Sequence, residues 1–188
     1  MAQHATASDT CLKAHCRDET CMGISKPRPL SEEDDRSEFD CGRASLNEWF
    51  QRHAWKNHKA DISRTNILCD TETGKIAGYV TLLAAEIRRE FLVKAQQRNK
   101  PEAIPVILLG QLAVDTHYQG QGLSTSLLFF AFKTVLRIAD VAGCYGLITH
   151  PLDESVRAFY QHQGFQDIPY DPERAMMVRI ADLRASGF

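Results

Sequence analysis

No apolar run in this chain approaches the ~20 residues that a membrane-spanning helix needs. Internal repeats and low-complexity segments are absent too, which excludes solenoid and fibrous architectures. The first stretch, MAQHATASDTCLKAHCRDETCM, has no apolar core of the kind that directs secretion, and the expectation is a cytoplasmic protein. Excess charge of either sign is missing: 22 Lys and Arg stand against 24 Asp and Glu, a formal net charge of −2. That excludes a protein that coats nucleic acid by bulk charge. Zinc-site spacing is missing as well. Cys11, Cys16 and Cys21, with His4 and His15, have four residues between successive cysteines, and no second half-site follows. No metal is expected.

What is present suits one globular domain: 188 residues with 44% hydrophobic content, enough for a core. MGISKPRPL at Met22 reads like a normal protein start. Residues 1–21 are therefore expected to be a disordered extension or an artefact of start-codon assignment, ahead of a domain at 22–188. Charge is uneven along that domain. Leu30 to Asp40 holds six acids (Glu32, Glu33, Asp34, Asp35, Glu38, Asp40) against Arg36 alone. Arg43 to Lys100 holds 11 Lys and Arg against 6 Asp and Glu, a local net of +5. A solvated face and an anionic partner both account for that bias.

Local patterns alternate between strand and helix. Pro27 and Pro29 mark an edge strand at Lys26–Leu30. SLNEWFQRHAWKNHK reads as a helix with a capping box at Ser45 and Glu48, and with Leu46, Trp49, Phe50 and His53 at helical spacing. RTNILCD and KIAGYVTLLAAEI are strands joined by a TETG turn. REFLVKAQQRNKPEA holds a short helix. IPVILLGQLAVD is a buried strand in which Gly110 signals a bulge or a close backbone approach. The helix STSLLFFAFKTVLRIADVA follows, then the strand CYGLITH and the helix DESVRAFYQHQ, with Asp153 as N-cap and Gly164 as its end. FQDIPY and RAMMVRIADL close the chain as strands. The pattern is α/β or α+β with a mixed sheet.

The segment VDTHYQGQGLSTSLL turns from a buried strand into a helix through Gly120 and Gly122. Such a turn points backbone N–H groups at an anion near a helix N-terminus, though a plain tight turn has the same residues. A Walker loop requires a lysine after the last glycine, and none follows Gly122. A Rossmann fingerprint requires a third glycine where Thr125 stands. A third pattern fits. QGQGLS after LAVD, with AFYQHQGF about forty residues on, resembles the GNAT superfamily of acetyl-CoA-dependent N-acetyltransferases. The likeness spans roughly Leu30 to Leu183. FDCGRASLNEWF together with IPVILLGQLAVD is similar to the GNAT toxins of type II toxin–antitoxin modules.

The resemblance implies a central mixed, mostly antiparallel twisted sheet flanked by helices and splayed at the acetyl-CoA site. It implies that the Leu112, Ala113 and Val114 backbone pairs with the pantetheine arm. Gln119, Gly120, Gln121, Gly122, Leu123 and Ser124 would hold the pyrophosphate; Ser124 departs from the family's Gly or Ala but is still small. Tyr160 matches the family's general acid for the leaving thiolate, and its bare-sequence alternative is a core residue on an amphipathic helix. Toxins of this kind acetylate the α-amine of aminoacyl-tRNA, are often dimers and pair with ribbon-helix-helix antitoxins. Many lysine-directed members carry a carboxylate on the strand before the loop. Here that strand offers Gln111, with Asp115 at its end and Glu86 on the preceding strand. A lysine amine is only about 0.1% neutral at pH 7.4, whereas an α-amine is roughly a quarter neutral, so an α-amine manages without a strong base. Arg52, Lys56, Lys59, Arg88 and Arg89 are the candidate tRNA-backbone contacts, with His53 and Trp55 as stacking candidates. A small-molecule amine, a protein N-terminus, or a non-catalytic acetyl-CoA-sensing role are the alternatives.

Overall fold

The computed structural model describes residues 23–188; the 1–21 segment, with Cys11, Cys16 and Cys21, lies outside the described residues. The strands are β1 (Arg28–Pro29), β2 (Arg64–Cys69), β3 (Ile76–Arg88), β4 (Ala103–Val114), β5 (Gly146–Thr149), β6 (Gln166–Asp167) and β7 (Met176–Arg179). The helices are α1 (Ala44–Trp49) and α2 (Trp55–Lys59), joined by a π-helical turn at Phe50–Ala54, then α3 (Lys94–Gln97), α4 (Leu123–Val141), α5 (Glu154–His162) and α6 (Ile180–Ala185). One sheet runs in the order β1-β2-β3-β4-β5-β7-β6. Pairings β1–β2, β2–β3, β5–β7 and β6–β7 are antiparallel, and β4–β5 is parallel. The expected mixed, mostly antiparallel sheet with helices is present. The described chain falls into two compact units, 23–84 with Leu109–Ala131, and Ala85–Leu108 with Phe132–Phe188.

In the first unit, the TETG link closes as expected. Asp70 N–H donates to Lys75 O at 2.8 Å, and Gly74 sits at φ +72°. Thr65 and Thr81 face each other across β2 and β3, and their buried hydroxyls bond at 2.9 Å. Gly110 marks a close approach: a Cβ there would stand 3.0 Å from Leu83 Cδ2. The acidic stretch folds onto its own donors. Asp34 accepts from Arg28 and from Ser31 N–H, and Asp35 accepts from Ser37.

The helical run after it differs from expectation at two points. The Ser45–Glu48 capping box does not form: α1 starts at Ala44 with Arg43 as N-cap, and Glu48 pairs with Arg52 instead. The turn before the helix is already satisfied by other side chains. Asp40 accepts from Gly42 N–H at 2.8 Å, and Asn47 accepts from Cys41 N–H at 2.9 Å. The second difference is the π turn. The buried residues of the run are Leu46, Phe50 and Ala54, spaced by four, and His53 is exposed. Eight residues at 3.6 per turn overshoot two turns by about 80°. A widened turn removes much of that drift and keeps all three on the sheet. Phe50 then stacks on Tyr79 at 4.1 Å between centroids, with Phe39 edge-on to both. Tyr79 is fully buried, and its hydroxyl donates to Leu46 O.

In the second unit, β4 and β5 pair at Ile107↔Leu147 and Leu108↔Ile148. Strand alternation sends Ile148 into a core with Ile87, Leu92, Ile104, Val106, Ile168, Ala175 and Met177. Leu147 and Thr149 point to the opposite face. Gly146 is required by contact, since a Cβ would meet Val178 O at 2.6 Å. The expected last strand stops at Arg179, and Ile180–Ala185 is helical. Two features favour the helix: Ile180 and Leu183 are both buried at i, i+3, and Arg179 pairs with Asp182 across its first turn. FQDIPY shortens to Gln166–Asp167 ahead of Pro169.

Phe50→Ala removes the ring that joins the π turn to Tyr79. The expected cost is about 3–5 kcal/mol, read as a lowered midpoint in urea denaturation.

Candidate functional site

The glycine loop of the first unit is built on one buried carboxylate. Asp115, 5% exposed, follows the end of β4. Its Oδ2 accepts from Asp40 N–H at 2.9 Å, and its Oδ1 accepts from His117 N–H at 2.9 Å. The His117 ring Nδ1 lies 2.8 Å from the same Oδ1. Asp115 N–H donates to Ala77 O and Thr116 N–H to Asp40 O. The chain is thereby turned through a short 3₁₀ segment, Thr116–Tyr118, into the loop. Tyr118 adds a bond from its hydroxyl to Asp70 at 2.9 Å.

Beyond it, Gly120 and Gly122 both take φ +78°, the left-handed region that favours glycine. A Cβ on either would meet nothing within 4 Å, so the loop backbone faces open space. The 19-residue helix α4 begins at Leu123 directly after it, and Ser124 stands half-buried inside its first turn. Left-handed glycines ahead of a long helix present N–H groups and the positive helix end to an anion. The backbone here has the conformation of an anion-receiving loop. Gln119 does something the sequence did not reveal: its side-chain amide donates to Val114 O at 3.0 Å and Cys41 O at 3.2 Å. Upstream on β4, Leu112 is half-buried while Ala113 and Val114 are buried. Asp115, considered as a base, has its oxygens taken up by the donors just named. Gln111 is half-buried.

Tyr160 belongs to the second unit, on α5. Asp153 is the N-cap, accepting from Val156 N–H at 2.9 Å, and Gly164 ends the helix at φ +90°. Phe165 N–H and Gln163 N–H both donate to Tyr160 O at 3.0 Å. Arg157, 7% exposed, ties α5 to Asp167 and to Arg174 O. The Tyr160 side chain is 5% exposed and packs on Phe159 and Phe165 with centroids 5.2 and 5.1 Å away. Burial pushes its phenol up to about 12, and a side-chain hydrogen bond with Thr149 pulls in the other direction. Near neutral pH it is a protonated hydroxyl, a resident proton source.

The candidate tRNA contacts divide between the units. In the first, Arg52, Lys56 and Lys59 are exposed at i, i+4 and i+7 along the helical run. Arg52 carries an ion pair with Glu48 at 2.9 Å. Trp55 is half-buried against the aromatic core and stacks on His58, which favours its core role. In the second, Arg88 pairs with Glu90 at 3.0 Å, and Arg89 donates to Lys100 O at 2.8 Å. Burial raises the thiol pKa of Cys41, Cys69 and Cys144, which makes them poor nucleophiles. Among the described residues no group of three His, Cys, Asp or Glu could hold a metal. No described helix is long and apolar enough to cross a membrane.

A family model of the acetyltransferase (GNAT) domain matches residues 63–167. The chain belongs to the GNAT acetyltransferases. It is 35% identical over 163 residues to the tRNA-acetylating toxin of Mycobacterium tuberculosis, covering 87% of this chain and 96% of that one. It is also similar to AtaT complexed with acetyl-methionyl-tRNAfMet, with 30% identity, TM-score 0.80, and coverage of 86% of this chain and 98% of that one. A mutant of AtaT bound to the C-terminus of the antitoxin AtaR and acetyl-CoA matches at 27% identity and TM-score 0.74, covering 87% and 97%. The GNAT match spans β2 through β6, so it contains both the glycine loop and α5.

In this GNAT chain Asp115→Asn sets an amide NH₂ against backbone donors. The expected loss is about 1–3 kcal/mol of stability, seen as a lower melting temperature.

Proposed function

We propose that this chain is a translation-blocking toxin that moves acetyl from acetyl-CoA to the α-amine of aminoacyl-tRNA. The observation that carries the reading is its likeness, over 87% of its length, to a tRNA-acetylating toxin. AtaT with acetylated methionyl-tRNA, and an AtaT mutant with acetyl-CoA and an antitoxin segment, support it. Residues 22–188 act as one acetyltransferase domain. The protein works in the cytoplasm as a homodimer, restrained by an antitoxin of the ribbon-helix-helix type.

The Leu112, Ala113 and Val114 backbone pairs with the pantetheine arm. The N–H groups of Gln119 to Ser124 hold the pyrophosphate, with the Gln119 side chain bracing the turn from behind. Acetyl-CoA supplies an activated thioester. The amine forms the C–N bond as the C–S bond breaks, and Tyr160 gives its proton to the departing sulfur. The nitrogen loses a proton to solvent, and Tyr160 recovers one from there. The engaged Asp115 carboxylate leaves no strong base at the end of β4, which suits an amine that is partly neutral already. Arg52, Lys56, Lys59, Arg88 and Arg89 bind the tRNA backbone.

The direct test is incubation with acetyl-CoA and bulk charged tRNA, digestion, and detection of N-acetylated amino acid; no product with any charged tRNA refutes the reading. Tyr160→Phe should lower kcat by about 10²–10⁴ and relieve growth inhibition. In the parent protein, kcat/KM should rise through the α-amine pKa of about 7.8 and then level off. Because burial holds the Tyr160 phenol at about 12, its ionisation should cause no fall below roughly pH 10.

Replacing Arg52, Lys56 and Lys59 together by Gln should raise KM for charged tRNA and flatten its salt dependence. The expected slope change is about one unit or less per lost phosphate contact, with KM for acetyl-CoA unchanged.

A further inference from the structure

β5 is a four-residue strand, Gly146 to Thr149, buried along its whole length. Its first three residues are apolar or glycine, and the last carries a hydroxyl. Thr149 is 3% exposed and makes the final β5–β7 pair, opposite Met176. A valine has nearly the same shape and suits a buried strand better, because a buried hydroxyl is costly unless it is bonded. The partner is Tyr160: the two side chains share a hydrogen bond. Alternation along β5 sends Ile148 into one core and Thr149 to the other face. The phenol that meets it there is fixed at both ends. Its backbone carbonyl accepts from Gln163 and Phe165, and its ring is held by Phe159 and Phe165.

A phenol can donate or accept in such a bond, but a phenolate can only accept. Once Tyr160 has given up its proton, the bond that survives is the one in which Thr149 donates. We propose that Thr149 is a positioning residue for the acid. Its hydroxyl donates to the Tyr160 oxygen, aims the single phenolic hydrogen at the departing thiolate, and holds the phenolate that forms. The inference rests on the reading of Tyr160 as the proton donor. The proton passes from Tyr160 oxygen to sulfur and returns from solvent, and Thr149 keeps its own throughout.

The test measures release of the CoA thiol from acetyl-CoA with bulk charged tRNA as the amine probe. Thr149→Val should lower kcat about tenfold, the size expected for one hydrogen bond to a forming charge. KM for acetyl-CoA and the melting temperature should stay as in the parent. Thr149→Ser, which restores the hydroxyl, should recover most of the loss. In a Tyr160→Phe background, Thr149→Val should have no further effect. An undiminished or faster Thr149→Val overturns the proposal, as do a Thr149→Ser no better than the valine variant and losses that multiply in the double variant. If the valine variant fails to fold, Thr149→Ala against Thr149→Ser makes the same comparison. A Tyr160→Phe protein with full activity defeats the acid reading itself, which separates that failure from a failure of Thr149 alone.

Discussion

The Asp115 carboxylate is the tie on which the glycine loop depends. It is buried beside the end of β4, yet it is provided for, with backbone donors arriving from Asp40 and His117. A buried acceptor with matched donors fixes direction as well as distance. Here it decides where the chain leaves the strand and how the segment before α1 lies against it. Asp40 takes part twice, through its N–H to Asp115 and through its carboxylate to Gly42 and Asn47. The start of the helical run and the start of the loop are therefore set by one small polar network.

Around that network the first unit is aromatic. Phe39, Trp49, Phe50 and Tyr79 pack ring on ring, and the π turn exists because the buried residues of its helix recur every four positions. The second unit solves a different problem. It holds a buried, protonated tyrosine on a nine-residue helix. An N-cap, a glycine end and the buried Arg157 clamp hold that helix in place.

Much of this could be read from the residues. Alternation and turn chemistry marked β2, β3 and the TETG link, and Asp153 and Gly164 bounded α5. The glycine pair was legible because failed alternatives, lysine-less and without a third glycine, left few templates. Other features had no local signature. The capping box at Ser45 and Glu48 was a correct motif displaced by Asp40 and Asn47, and Asp40 is itself tied to Asp115, 75 residues further on. The helix at Ile180 looked like a strand because four apolar residues, Ala175 to Val178, lie just ahead of it, and the i, i+3 burial of Ile180 and Leu183 with the Arg179–Asp182 pair distinguishes it. The bonds of the Gln119 side chain to Val114 O and Cys41 O had no local signature, since nothing in its neighbours shows that its amide turns inward.

Under the proposed assignment of this loop to the acetyl-CoA pyrophosphate, the inward turn of Gln119 bears on how fast that ligand is captured. Its amide grips Val114 O and Cys41 O, and the two glycines after it already hold left-handed angles. The disorder such a loop would otherwise lose on meeting an anion has been removed during folding. Encounter then needs no search among loop shapes. Affinity becomes a property of the folded protein, and weakening the grip should show first as slower, less certain capture of acetyl-CoA, before any change in the chemistry that follows.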